Sequence, residues 1–307
     1  MPEKPSQWTI WKTAIRPHTL TASLSPCLVA YATTRPPIHL QLAWTLFCIS
    51  VQIGTNLHND YSDFVKGADT DKRVGHARAT AKGWLTPQET CMASVAALSV
   101  TFASGVYLLW ATEQLENGIA WFVVLTSVLN AFAYTGGPFP LGYIGLGHVS
   151  IAYSGLGEVF VMLYFGYAAV LMLPWLLYSR GLPVDWVSQA INSTCVGLLA
   201  TNIIIVNNLR DRHTDGDAGK RTTAVRFGRS FALVEYTLCN VLSYALLFMK
   251  TISSGSAWSL LPILTLPLAI RETIAVFGKE GAALNPHVGG AAIVEFLFCV
   301  LLSLVLR

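Results

Sequence analysis

Charged residues are scarce in this sequence. Asp, Glu, Lys and Arg make up 12% of its 307 residues, hydrophobic residues make up 53%, and the mean hydropathy is +0.51. A soluble domain carries about 25% charged residues. The shortage excludes an ordinary soluble domain and predicts an integral membrane protein in a lipid bilayer. The net charge of +3 is too small to indicate a nucleic-acid partner.

Paired cysteines are also absent. The six cysteines are scattered, lie in or beside apolar runs, and form no CxxC pair. This pattern excludes a disulfide framework and a zinc site, and is typical of cysteines packed as small hydrophobic residues. The first twenty residues lack the features of a secretory signal or a transit peptide, so we expect the first membrane helix to direct insertion, as in a bacterial inner membrane protein.

Long apolar segments dominate what is present. A span of the hydrocarbon layer needs about 20 apolar residues, and nine segments are long enough. They are 18–34, 39–58, 87–111, 117–135, 156–178, 187–209, 230–250, 256–276 and 285–306. Before the third, Thr86, Pro87 and Glu89 form the pattern of a capping box. The sequence therefore predicts an all-α, polytopic membrane protein of about nine transmembrane helices, with residues 1–307 as a single domain.

Basic residues indicate the orientation of these helices. With nine spans, all Lys and Arg residues except Arg35, Arg180, Lys250 and Arg307 fall on the side of the N-terminus. Because basic residues favour the cytoplasmic side, we expect the N-terminus and the loops 56–85 and 207–229 to be cytoplasmic.

The first of these loops opens with an acidic motif. Asn56, Asn59, Asp60 and Asp63 are spaced i, i+3, i+4, i+7, so they share one face if the second span continues as a helix. Two further carboxylates, at positions 69 and 71, follow Gly67 in a predicted loop.

The second loop repeats this design. Asn207, Asp211 and Asp215 are spaced i, i+4, i+8 at the end of the sixth span, and Asn208 lies three residues before Asp211. We expect these side chains also to share one helical face.

Carboxylates and amides are oxygen ligands, which suit a hard cation such as Mg²⁺. Nearby basic residues suit a diphosphate. Two such motifs at the same membrane surface therefore favour a lipid diphosphate bound through Mg²⁺. The alternatives are solvated loop residues and a cation transporter, although the acids of a transporter more often lie near the membrane midplane.

The stretches "NDYSDFVKGADTD" and "NNLRDRHTDGDAGKRTTAVRFG" resemble the UbiA superfamily of intramembrane prenyltransferases. "YTGGPFPLGY" and "NNLRDRHTDGDAGKRT" are most similar to the branch that prenylates 1,4-dihydroxy-2-naphthoate in menaquinone synthesis. The resemblance implies a helix bundle around a lipid-facing chamber. It also implies transfer of a polyprenyl group from polyprenyl diphosphate to this aromatic acid with loss of CO₂, giving demethylmenaquinone. The alternatives are 4-hydroxybenzoate or homogentisate as acceptor on the same fold.

Site residues follow from the resemblance position by position. The catalytic and Mg²⁺-binding carboxylates would be Asp60, Asp63, Asp211 and Asp215. Further substrate-binding residues would be Asn59, Asn208, Lys66, Arg78 and Lys220.

Two more candidates concern the reacting groups. Arg16 could pair with the carboxylate of the acceptor or serve only as a positively charged anchor. Tyr134, with Tyr164 and Phe165, could shield an allylic cation or could simply pack in the bundle or against lipid. His58 and His213 lie inside the motifs, but histidine is a poor Mg²⁺ ligand beside carboxylates, so we expect no role for them.

One departure from the family pattern is a tandem duplication of about ten residues. "YIGLGHVSIA" (residues 143–152) is followed by "YSGLGEVFVM" (residues 153–162), where the family has one copy. The second copy keeps Glu158, so it is interpreted as the native one. The first copy would lengthen a loop near the chamber, and we expect it to be inert.

Overall fold

The computed structural model describes residues 4–67, 69, 74–136 and 155–306, and all regular structure in that part of the chain is helical. The first copy of the duplication and Asp71 lie outside the described residues. In chain order the helices are α1 Gln7–Ile15, α2 Pro17–Thr34, α3 Ile38–Val65, α4 Pro87–Ala111, α5 Gly118–Ala133, α6 Gly157–Tyr178, α7 Trp186–Arg210, α8 Arg212–Asp217, α9 Thr223–Ser254, α10 Ala257–Phe277 and α11 Gly281–Val305.

Seven described helices are long and apolar enough to cross a membrane: α3, α4, α6, α7, α9, α10 and α11. The predicted segments 18–34 and 117–135 coincide with α2 and α5, but α2 is not among the seven and α5 is a shorter apolar helix. The all-α, multi-pass membrane fold is therefore confirmed, and the count of nine spans stays a prediction.

The start of α4 shows how the sequence defines a helix end. The Thr86 side chain accepts a hydrogen bond from the backbone N–H of Glu89 (3.2 Å), and Glu89 accepts one from the backbone N–H of Thr86 (2.8 Å). Each bond satisfies a donor that the first turn of a helix leaves without a partner. The predicted capping box is confirmed.

Close packing of α6 against α7 depends on two glycines. A Cβ on Gly166 would lie 2.7 Å from Cα of Gly197, so only glycine allows this approach. Small residues permit such contacts between membrane helices. Gly166 lies within Met162–Ala168, where α6 takes π-helical form. Such π segments often occur at functional sites because they change which side chains face a cavity.

Polar contacts join distant elements at one end of the bundle. Arg210 at the end of α7 donates to Asn285 in α11 (3.1 Å), and Asn285 donates to the carbonyl of Val74 (3.1 Å). Lys220, between α8 and α9, pairs with Asp63 near the end of α3. The ends of α3 and α7 therefore meet, and they carry the two acidic motifs.

Candidate active site at the polar end of the bundle

The first motif lies on the last three turns of α3, as the spacing predicts. Asp60 and Asp63 are completely buried. Arg78, from the segment after α3, places Nη1 2.8 Å from Asp63 Oδ2 and Nε 3.6 Å from Asp60 Oδ1. The Arg78 Nε atom also lies 3.4 Å from Asp69 Oδ1. One guanidinium thus lies near three carboxylates and offsets part of their mutual repulsion.

Arg16 supplies a second cation to this motif. It joins α1 to α2 with a left-handed backbone (φ 56°, ψ 66°), which is uncommon for a residue other than glycine. Its guanidinium donates to Asp60 Oδ1. Strained backbone of this kind clusters at functional sites.

The second motif differs from the predicted single helical face. Helix α7 ends at Arg210, Asp211 has non-helical torsions (φ −90°, ψ 4°), and Asp215 lies in the short α8. The helical spacing persists across this break, because Asp211 N–H donates to the Asn207 carbonyl (3.1 Å) and Asp215 N–H to the Asp211 carbonyl (2.8 Å). The side chain of Arg210 binds both carboxylate oxygens of Asp211, at 2.8 and 2.5 Å.

Lys220 connects the two motifs. Its Nζ atom lies 3.0 Å from Asp63 Oδ2 and 3.8 Å from Asp215 Oδ1. An ammonium group therefore occupies the space between the carboxylates of the two motifs.

A polar cavity opens beside these residues. Most of the predicted site residues line it: Arg16, Asn59, Arg78, Tyr134, Asn208, Asp211, Asp215 and Lys220. Asp60 and Asp63 do not line the cavity, because their basic partners lie between them and the open space. Lys66 is also outside the lining, and its ammonium donates to the carbonyl of Thr135.

A larger, mainly apolar chamber adjoins the polar cavity. Arg16, Asn59, Tyr134 and Asn207 line both spaces and therefore mark the junction. The chamber walls include six aromatic side chains, which are Trp44, Phe47, Tyr134, Phe160, Tyr164 and Phe165.

The π-helical segment of α6 contributes to this aromatic wall. Tyr164 accepts a hydrogen bond from Asn130 Nδ2 (2.6 Å) and stacks on Phe160 with a centroid distance of 6.0 Å. The aromatic residues proposed from the sequence, Tyr134, Tyr164 and Phe165, thus all face the chamber.

The cationic side chains outside the membrane-spanning helices differ in their electrostatics. Burial opposes the charge of Arg78, but Asp63, Asp60 and Asp69 together raise its pKa above the ordinary arginine value. Burial lowers the pKa of Lys66, against the attraction of Asp63 and with a smaller contribution from Lys220. Arg78 is therefore a permanent cation, whereas Lys66 loses its proton more readily than a free lysine.

The donor set fits a hard divalent cation. No three Asp, Glu, His or Cys side chains of the described residues gather into a ready-made metal cluster. Mg²⁺ does not require one, since it is usually held by one or two carboxylates together with phosphate oxygens and water. Oδ2 of the buried Asp60 has no hydrogen-bond partner among the described residues, so it is available as an oxygen ligand.

Three residues of the site had no role assigned to them from the sequence, although Asn207 was counted in the second motif. Glu158, at the start of α6, lines the polar cavity and accepts hydrogen bonds from Asn208 and Thr223. Asn207 lies at the junction, and its side chain accepts from Arg210 Nη2 (2.8 Å). Asn285 holds Arg210 from another helix. For Glu158, the sequence did offer one signal of a functional role, because it is a charged residue at the boundary of an apolar segment.

His58 and His213 do not line either space. His58 is buried and its Nε2 lies 2.6 Å from the carbonyl oxygen of Gly136, while His213 is exposed on α8.

The fold and the site together define a class of protein: a polytopic, all-α membrane protein with a charged polar cavity that adjoins an apolar chamber. A family model described as the UbiA prenyltransferase family matches residues 20–283. The chain therefore belongs to the UbiA prenyltransferase family.

Sequence relatives cover almost the whole chain. The 1,4-dihydroxy-2-naphthoate octaprenyltransferase of Escherichia coli is 31% identical over 306 residues, covering 95% of this chain and 94% of the relative. The enzyme of the same name from Mycobacterium leprae is 30% identical, covering 90% of this chain and 88% of the relative.

Solved structures agree with the fold. A UbiA homolog from Aeropyrum pernix in its apo form has a TM-score of 0.63 at 15% identity, covering 92% of this chain and 96% of its own. A UbiA homolog from Archaeoglobus fulgidus bound to DMAPP and Mg²⁺ has a TM-score of 0.63 at 16% identity, covering 96% and 98%. At these levels of sequence identity, the similarity to the solved structures supports a shared fold only.

Proposed function

We propose that this protein transfers a polyprenyl group from polyprenyl diphosphate to 1,4-dihydroxy-2-naphthoate, with loss of CO₂, in a Mg²⁺-dependent reaction. The observation that carries this proposal is the junction of a charged cavity with an apolar chamber, because a prenyl diphosphate has a charged head and an apolar tail. The names of the relatives that cover nearly the whole chain support 1,4-dihydroxy-2-naphthoate as acceptor.

The polar cavity suits the diphosphate. Arg78 and Lys220 line it as cations, and Asn59 and Asn208 add amide groups. Asp60, Asp63, Asp211 and Asp215 would hold Mg²⁺, which draws negative charge from the bridging oxygen when bound. A homologue from Archaeoglobus fulgidus is bound to DMAPP and Mg²⁺, and the donor set of this chain fits the same pair. Lys66 would approach the diphosphate only after leaving the Thr135 carbonyl.

Ion pairs occupy some of the carboxylate oxygens at this site. Asp60 keeps Oδ2 for a metal ion while Arg16 binds Oδ1, but Lys220 has to leave the space between Asp63 and Asp215 before both can bind one ion. Both cations line the polar cavity, so each can move toward a diphosphate or carboxylate ligand without crossing the bundle. The basic side chains thus compensate most of the acidic ones, and charged ligands would replace one set of ion pairs with another.

The chamber suits the prenyl chain and the reactive carbon. When the allylic C–O bond breaks, the diphosphate leaves with the electron pair and an allylic cation remains. Aromatic faces stabilise a cation, and an apolar wall keeps water away from it. Tyr134 is at the junction, and Tyr164 and Phe165 lie in the adjoining wall.

The acceptor would lie at the junction, where Arg16 can pair with its carboxylate. The ring carbon that bears this carboxyl forms the new bond to the allylic carbon. The carboxyl then leaves as CO₂, and its bonding electrons return to the ring. The product is formed at the quinol level of oxidation, and demethylmenaquinone is its oxidised form.

We also propose that residues 1–307 act as one catalytic unit in a bacterial inner membrane, with the loops 56–85 and 207–229 on the cytoplasmic side. The distribution of basic residues supports this orientation. Both substrates would then reach the polar cavity from the cytoplasm or the adjoining leaflet.

The direct test is an assay in membranes that contain this chain, with 1,4-dihydroxy-2-naphthoate and a polyprenyl diphosphate, with and without Mg²⁺. We expect prenylated naphthoquinol and CO₂ only when Mg²⁺ is present, and no product from an Asp60→Asn variant. Absence of product, alongside an active control enzyme, would reject this acceptor, and 4-hydroxybenzoate and homogentisate would be tested next. A cation transporter would instead give Mg²⁺ flux without product.

A further inference from the structure

Glu158 lies in the first turn of α6, outside both acidic motifs. Only 6% of Glu158 is exposed to solvent, and it lines the polar cavity with Asn208, Asp211 and Asp215. A buried carboxylate beside the diphosphate-binding cavity needs a physical reason, because burying a charge without a counter-charge is strongly unfavourable.

The other carboxylates at this site have cationic partners, and Glu158 does not. Asp60, Asp63, Asp69, Asp211 and Asp215 each pair with an Arg or Lys side chain. Within the described part of the chain, no Lys or Arg forms an ion pair with Glu158, which makes it the unbalanced negative charge of the cavity.

The hydrogen bonds to Glu158 reach only one of its two carboxylate oxygens among the described residues. Asn208 Nδ2 (2.8 Å) and Thr223 Oγ1 (2.7 Å) both donate to Oε1. The buried Oε2 atom has no hydrogen-bond partner among the described residues. A neutral carboxylic acid would need an acceptor for its O–H, so this pattern favours an ionised group with one oxygen held in place and the other available.

We propose that Glu158 is an additional ligand of the divalent cation, through Oε2 or through a metal-bound water. The bonds from Asn208 and Thr223 fix the carboxylate, and nearby Asp211 and Asp215 provide further oxygen atoms of the kind that a hard cation prefers. This inference rests on the proposed function only in requiring a divalent cation at the diphosphate site, and not on the identity of the acceptor.

The test measures metal binding rather than turnover. Mn²⁺ is titrated into purified protein in nanodiscs in the presence of inorganic diphosphate, and free Mn²⁺ is followed by electron paramagnetic resonance. The Glu158→Gln variant keeps an oxygen that accepts from Asn208 and Thr223 but loses the negative charge, so it should fold. Glu158→Asp keeps the charge on a shorter side chain. Glu295→Gln is the matched control, since Glu295 is fully buried but lines neither space.

We expect Glu158→Gln to weaken Mn²⁺ binding by about tenfold or more, Glu158→Asp to weaken it less, and Glu295→Gln to leave it unchanged. Wild-type affinity in Glu158→Gln, equal weakening in Glu295→Gln, or no Mn²⁺ binding by the wild-type protein would each overturn the proposal. Failure of the naphthoate assay with the expected Mn²⁺ result would reject the proposed acceptor and leave the role of Glu158 standing.

Discussion

The two acidic motifs look alike in sequence but are built differently. The first lies on a continuous helix, its two aspartates are fully buried, and its cationic partners Arg16 and Arg78 come from other segments. The second straddles a break between α7 and α8, and the partner of Asp211 is the neighbouring Arg210. The side chain of Asp215 is 15% exposed.

Because of this difference, we expect the two motifs to contribute differently to stability and to activity. Removing a buried partner of a long-range ion pair leaves an uncompensated charge inside the protein. Removing a partly exposed carboxylate leaves a cationic partner whose charge water can solvate. We therefore expect changes in the first motif to affect both folding and activity, and changes in the second to affect mainly activity.

The largest effect is expected for Asp63→Asn. It removes the charge that pairs with Arg78 and Lys220, so the transfer rate should fall by about 10³-fold. The free energy of unfolding should fall by about 3 kcal/mol. Rates in membranes and thermal unfolding in detergent would measure both. Asp217→Asn, on an exposed residue of α8, is the control and should change neither. A stable, inactive Asp63→Asn protein would contradict the expectation that the first motif also stabilises the fold.

Asp215→Asn should reduce the rate by about 10²-fold while leaving thermal unfolding close to that of the wild type. The reason is that Asp215 is partly exposed and its ion pair with Lys220 is long, at 3.8 Å. The same two measurements apply. If this variant unfolds as early as Asp63→Asn, the two motifs do not differ in the way proposed.

Arg78→Lys tests whether the geometry of the first motif matters beyond its charge. A lysine ammonium keeps one positive charge but cannot hold three carboxylates as the planar guanidinium does. We expect a loss of about tenfold in rate and of about 2 kcal/mol in stability. Full activity would show that only the net charge is required at this position.

The smallest effect is expected for Thr222→Ala, next to the second motif. The Thr222 side chain caps α9 by accepting from the N–H of Val225 (3.3 Å), and loss of such a cap costs about 1 kcal/mol. Unfolding should be slightly easier and the rate should change by less than about threefold. Thr222→Ser retains the hydroxyl group and should behave as wild type. A large loss of activity in Thr222→Ala alone would mean that Thr222 contacts substrate.

Much of the candidate site could be predicted because it is local. The i, i+3, i+4, i+7 spacing around Asp60 depends only on helix geometry, and α3 confirms it. The break at Asp211 could not be predicted, because helical spacing persists across it and no proline or glycine marks it. The ion pair of Arg16 with Asp60 and the hydrogen bond from Lys66 to the Thr135 carbonyl also could not be predicted, since a sequence position does not indicate which distant atom a long side chain reaches.

The sequence by itself determined the membrane-spanning helices, the capped start of α4 and the two acidic motifs, since these depend on hydropathy and on residues a few positions apart. Only the tertiary structure decided how the motifs are neutralised and where Glu158 lies. Arg16 is 44 residues from Asp60, and Glu158 is 50 residues from Asn208. Contacts of this kind arise when packed helices bring their ends together, and the energy of burying charge then selects which groups pair.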